Sequence, residues 1–142
     1  MTVKELCELM GRGEKTIRSG IVQGKFPFAV ATKLKESNTS YDYKLFDGKI
    51  KEYITDTTLP LNLKVDDVAE MLGVDGQTVR VYLQQGLFSF GTAYKVNPDN
   101  AQFTYVFYPA KVEEFLIGKK QAERNYAELL ANYKKTANYI TN

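Results

Sequence analysis

The stretch GEKTIRSGIVQG, residues 13 to 24, returns 62 residues later as DGQTVRVYLQQG, residues 75 to 86. The likeness extends well beyond these segments, since residues 2 to 54 lie over residues 64 to 116 at the same shift of 62 with no gap. Identical pairs include Val3/Val65, Glu8/Glu70, Gly11/Gly73, Thr16/Thr78, Arg18/Arg80, Gly24/Gly86, Phe26/Phe88, Phe28/Phe90, Lys33/Lys95 and Tyr43/Tyr105. Leu6/Val68, Ile17/Val79, Ile21/Leu83 and Ile50/Val112 keep their apolar character. Such a repeat demands one small fold made twice. At about 53 residues each copy is near the lower size limit for burying enough apolar surface alone, so the two are expected to lean on each other.

Within each copy the apolar period changes in order. Val3, Leu6, Cys7 and Met10, like Val65, Val68, Ala69 and Leu72, fall at i, i+3, i+4 and i+7, the pattern of an amphipathic helix. Thr2 and Glu5 have capping-box spacing, and Gly11 and Gly73 stand where a helix ends in a left-handed residue. A second helix follows a tight turn and ends at Gly24 or Gly86. Then FPFAVATKL and YDYKLF, and FSFGTAYKV and FTYVFY, are rich in aromatic or β-branched types and joined by KESNTS or NPDNAQ, which predicts a β-hairpin in each copy. A closing helix is expected over 48–54 behind an Asp47 cap, and over 110–116 behind Pro109. The fold class is α+β. The organisation is copy one at 1–55, a linker at 56–62, copy two at 63–117 and a helical tail at 118–142.

Several chemistries are disfavoured. With no histidine and a single cysteine, Cys7, the chain lacks the usual general base, the usual zinc donors and any Ser-His or Cys-His pair. No catalytic residue, metal site or cofactor is therefore expected, and Cys7 on an apolar helix face is expected to be a small buried residue. The N-terminus alternates charged and apolar residues, unlike a signal peptide, and no apolar run approaches a membrane span, so the expected location is the cytoplasm. Asn38-Thr39-Ser40 is then a chance match to a glycosylation site.

Two helices at a short turn, then a hairpin and a closing helix, in the order TVKELCELMGRGEKTIRSGIVQGKFPFA … YKLFDGKIKEYI, resemble the winged helix-turn-helix of phage and transposon excisionases and of MerR-type regulators. The resemblance covers about three quarters of the chain, once per copy. It implies double-stranded DNA as partner, with the second helix in the major groove and the hairpin wing on phosphate or minor groove. On this sequence that places Lys15, Thr16, Arg18 and Ser19 at bases or phosphates in copy one, with Gln77, Thr78, Arg80 and Gln84 in copy two. Lys33, Lys35 and Lys95 fall on the wings. The residue types suit the task, because Arg and Lys can bind guanine bidentately and Gln can bind adenine. The implied role is a regulator or an excision or architectural factor of phage or mobile-element type. Arg18 and Arg80 also fit a solvated helix face paired with Glu14 or Asp75.

The copies differ in two respects. Gly20 in the middle of one second helix faces Tyr82 in the other, and a helical glycine is about 1 kcal/mol worse than alanine. Residues 1–55 carry ten basic against seven acidic side chains, residues 63–117 four against seven, and residues 118–142 five against two. Phosphate contacts dominate DNA affinity, so copy one is the expected DNA binder, and copy two either extends the footprint on the duplex or is freed for a protein partner. The alternative function is a protein-interaction or inhibitor module that uses the same fold to dock on another protein. In the tail, Tyr126, Tyr133 and Ile140 recur every seven residues with Ala122 and Leu129 beside them. That seam predicts either a homodimer through the C-terminal helix or a helix folded back over the acidic second copy.

Overall fold

The computed structural model describes residues 1–33, 35–37 and 39–141, with side chains described through residue 137. It is α+β, with six helices and two antiparallel hairpins among the described residues. The first repeat runs α1 (Val3–Met10), α2 (Glu14–Val22), β1 (Ala29–Thr32), β2 (Asp42–Leu45) and α3 (Asp47–Ile54). The second runs α4 (Val65–Leu72), α5 (Gly76–Gln84), β3 (Gly91–Tyr94), β4 (Thr104–Phe107) and α6 (Pro109–Thr141). Every element of the second repeat starts 62 residues after its counterpart, as the sequence shift requires. Leu34, at the end of the expected strand, and Asn38, of the glycosylation-like tripeptide, lie outside the described residues, as does the side chain of Ile140.

Local chemistry accounts for the helix ends. The Thr2 hydroxyl accepts the Glu5 backbone N–H at 3.1 Å and so satisfies one of the free donors of the first turn. Replacing Thr2 with alanine is expected to lower the unfolding free energy by about 0.5–2 kcal/mol, read by urea denaturation. Gly11 and Gly73 leave α1 and α4 at φ 63° and 73°, a conformation that a Cβ disfavours. Asp47 is the first residue of α3, not its cap, and its carboxylate faces the Met1 amino group at 3.2 Å.

Each repeat has its own buried cluster, but the clusters are not built from separate segments. Leu6, Met10, Ile17, Ile21, Phe26, Phe28 and Ile50 form the first together with Tyr94, Val106 and Tyr108 from the second repeat. Leu63, Val68, Leu72, Val79, Leu83, Phe90, Ala93, Phe107 and Val112 form the second. Alternation along a strand explains the sharing. In β3 and β4, Ala93 and Phe107 face their own helices, while Tyr94 and Val106 turn the other way onto the first repeat.

Polar contacts lock this junction. The Tyr94 hydroxyl donates to the Thr16 carbonyl at 2.8 Å, and the Tyr108 hydroxyl donates to the Lys25 carbonyl at 3.0 Å. The Arg12 guanidinium, the Ser19 hydroxyl and the Gln23 amide donate to the carbonyls of Tyr105, Val96 and Lys95 at 2.7, 3.1 and 2.7 Å. The mid-helix glycine of α2 has its reason here. A Cβ on Gly20 would lie 2.5 Å from the Phe26 ring and 2.8 Å from that of Tyr94. The second hairpin thus seats in a notch that only glycine leaves open.

The closing helix of the second repeat and the tail are one element. α6 continues through Gly118 without a break, packing on α3 and α4 at its start. Lys119 donates to the Leu72 carbonyl at 2.6 Å, which places a cation at the negative end of α4. From residue 120 to residue 136 every side chain is exposed. Over these residues the helix does not fold back on the second repeat, because an unbroken helix carries this part of its apolar seam away from the body. No described helix is long and apolar enough to cross a membrane.

Candidate nucleic-acid interface

The face of α2 away from the core carries Lys15, Arg18 and Val22, all exposed. Ile17, Gly20 and Ile21 occupy the buried face, so helical periodicity alone sends the basic residues outward. Two hairpins flank this face. On one side stand Tyr41 and Tyr43 of the first hairpin, and on the other Val96 and Pro98 just beyond β3. With Lys15, Arg18, Ser19, Val22 and Gln23 they line a groove of about 570 Å³.

Three cations in or beside the groove stand over aromatic rings. The Arg18 guanidinium lies 6.0 Å from the centre of Tyr43, and its Nη2 reaches Glu14 at 2.9 Å. Lys33 stands 4.6 Å over Tyr41, and Lys95 5.2 Å over Phe103. Such stacking steers the charged ends without burying them. Lys35 is exposed in the connection between β1 and β2.

Two residues of the set have other work. Ser19 is spent on Val96 and also accepts from Gln23 at 2.9 Å, and the Thr16 carbonyl is taken by Tyr94. Their position in α2 matches the expected face, but the Ser19 hydroxyl and the Thr16 backbone carbonyl hold the second hairpin in place. Gln23, Tyr41, Tyr43, Val96 and Pro98 were not expected at this site. The tyrosines, on a short hairpin with one solvent face, carried a usable signal; Val96 and Pro98 arrive only through docking of the second repeat.

The counterpart positions on α5 are not brought into this groove. Gln77 is exposed and Arg80 half-buried, the Thr78 backbone N–H donates to Asp75, and the Gln84 amide donates to the Tyr105 hydroxyl at 2.6 Å. Hydrogen bonds from Thr78 hold the Asp75 carboxyl below the usual carboxylate range. Lys95 belongs to the second repeat yet stands beside α2. The convergence of basic groups is accordingly a property of the first repeat and the arm laid against it.

Cys7 is buried, and desolvation, followed by the nearby Glu14 charge, pushes its thiol up. Among the described residues no group of three or more Cys, Asp or Glu could hold a metal ion. No family model, curated protein or solved structure matches this chain.

Proposed function

We propose that each repeat is a winged helix-turn-helix and that the chain binds double-stranded DNA through the first, as a regulator or an excision or architectural factor. The observation that carries this reading is the basic, aromatic-backed face of α2 between two hairpin arms. In this arrangement Lys15 and Arg18 contact base edges or phosphates in the major groove. Lys33 and Lys95, one on each arm, neutralise phosphates on either side. The second repeat contributes an arm and not a second reading helix, which accords with its four basic against seven acidic side chains over 63–117.

A duplex titration at several salt concentrations tests the reading. Affinity should fall with salt along a log–log slope of about −0.9 per phosphate neutralised. Lys33→Ala and Lys95→Ala should each reduce that slope by about 1 without changing sequence preference. Arg18→Ala should lose about 1–3 kcal/mol and relax preference at one base pair. A salt-independent signal, unmoved by all three changes, would reject DNA as the ligand.

A second reading, protein docking through the second repeat, is favoured by one specific feature. The flank of α5 exposes Tyr82 and Leu87 where α2 has Gly20 and Lys25.

A further inference from the structure

The site on α2 that receives the second hairpin has a counterpart on α5 that no hairpin covers among the described residues. Shifting its residues by 62 turns Ser19, Gly20, Lys25 and Phe26 into Val81, Tyr82, Leu87 and Phe88. The Ser19 hydroxyl and the open Gly20 position thus give way to Val81 and the Tyr82 ring, and Lys25 to Leu87, while Phe88 keeps the aromatic of Phe26 and Gln85 the amide of Gln23. Tyr82 is 41% and Leu87 62% exposed. Tyr82 packs edge-on against Phe88 at 5.6 Å, and Phe88 against Phe115 of α6 at 5.7 Å. The result is an aromatic patch at the root of α6. It cannot accept a hairpin as α2 does, because Tyr82 fills the notch that Gly20 leaves open.

The same chain carries a second unpartnered surface. Tyr126, Leu129 and Tyr133 are 66%, 67% and 70% exposed and, at spacings of three and four, form one stripe with Leu130 on its edge. The helical run over 120–136 is exposed throughout, whereas most helix stability in proteins comes from packing an amphipathic face. Yet the stripe cannot reach its own patch. It stands about 20 Å along a continuous helix from Phe115.

We propose that two copies of this chain associate by exchanging α6, each helix laying its Tyr126–Leu129–Tyr133 stripe on the Tyr82–Leu87–Phe88–Phe115 patch of the other. Charge favours this occupant. Residues 118–142 carry five basic against two acidic side chains and residues 63–117 the reverse excess, four against seven. The contact is self-complementary, so one two-fold axis satisfies both patches and both stripes and leaves neither surface to propagate a fibre. With Tyr and Leu side chains burying on the order of 100–200 Å² each, the two contacts together reach on the order of 1,200–1,600 Å², the size of a stable interface. The small Ala122, midway between Phe115 and Leu129, lets the two helices cross closely.

Light scattering on the full chain tests the exchange, using Leu87→Glu on the patch and Leu129→Glu on the stripe. Both positions are exposed, and circular dichroism checks that each variant folds. The unaltered chain should have twice its 16.1 kDa monomer mass. Each variant alone should self-associate at least tenfold more weakly. An equimolar mixture should recover a heterodimer, because the intact stripe of one variant meets the intact patch of the other. A monomeric unaltered chain, a Leu87→Glu variant that dimerises normally, or a mixture that stays monomeric would each overturn the proposal. The inference is independent of the DNA reading, since mass and duplex affinity are measured separately.

Discussion

Tyr94→Ala should lower the unfolding free energy by about 3–5 kcal/mol, read by urea denaturation, although Tyr94 belongs to a hairpin and not to either helix pair. Its ring is 2% exposed, meets Phe26 edge-on at 5.9 Å, and sends its hydroxyl to the Thr16 carbonyl. Deleting it opens a cavity in the first cluster and unseats the second repeat. Gly20→Ala probes the same contact from the other side. The added methyl gains about 1 kcal/mol in helix propensity, but it meets two buried rings, and overpacking of this kind costs about 1–3 kcal/mol. The two changes should be non-additive. Once the Tyr94 ring is gone Phe26 can relax into its space, so the double variant should be more stable than the sum of single effects predicts, by about 0.5–3 kcal/mol. Tyr82→Ala, at the matching position of α5, should stay within about 0.5 kcal/mol in the monomer because no hairpin is seated there. Strict additivity of Gly20→Ala and Tyr94→Ala would show that the notch does not hold the repeats together.

The second large effect is alkaline unfolding. Burial pushes the Tyr94 and Tyr108 hydroxyls well above the ordinary tyrosine value of 10.0, with Tyr53 and Tyr94 adding to the rise at Tyr108. Below pH 10 both groups are protonated in the folded and the unfolded chain, and stability is unaffected. Above it the unfolded chain releases both protons while the folded chain holds them, so the unfolded state binds fewer protons and stability falls as pH rises. The slope is about 1.4 kcal/mol per pH unit for each tyrosine, about 2.7 for the pair. Tyr94→Phe and Tyr108→Phe should each remove one such contribution, at a loss of about 1 kcal/mol near neutral pH for the missing hydrogen bond. Denaturation curves between pH 9 and 11 distinguish the outcomes. An unchanged slope in the double phenylalanine variant would mean that these hydroxyls ionise freely in the folded protein.

The helices and hairpins were legible because each depends on local rules. Leu6, Cys7 and Met10 take the inward face of α1 as their spacing requires, and Phe26, Phe28 and Phe90 are buried at the step from helix to strand. The error at Asp47 is of one residue, where Phe46 precedes the helix instead. The expected boundary at residue 117 falls inside α6 for a different reason. Gly118 reads as a stop, yet Lys119 on Leu72 and the packing of the helix start on α3 and α4 carry α6 through it. One sign of the shared hairpin stands in the sequence. TAY and VFY hold apolar or aromatic residues on both strand faces, the mark of a strand covered on both sides, whereas the matching Thr32, Lys44 and Phe46 are exposed.

Sequence alone determined that one α+β unit is made twice and that the basic residues of α2 and the apolar seam of α6 lie on single helical faces. Period and turn chemistry act within a few residues and need no knowledge of distant partners. Only the tertiary structure decided that the second hairpin belongs to both cores, that Gly20 exists to admit Tyr94, and that the α6 seam stands clear of its own body. Those outcomes depend on which surfaces meet across some 75 residues of chain, and contact between remote side chains leaves no local period to read.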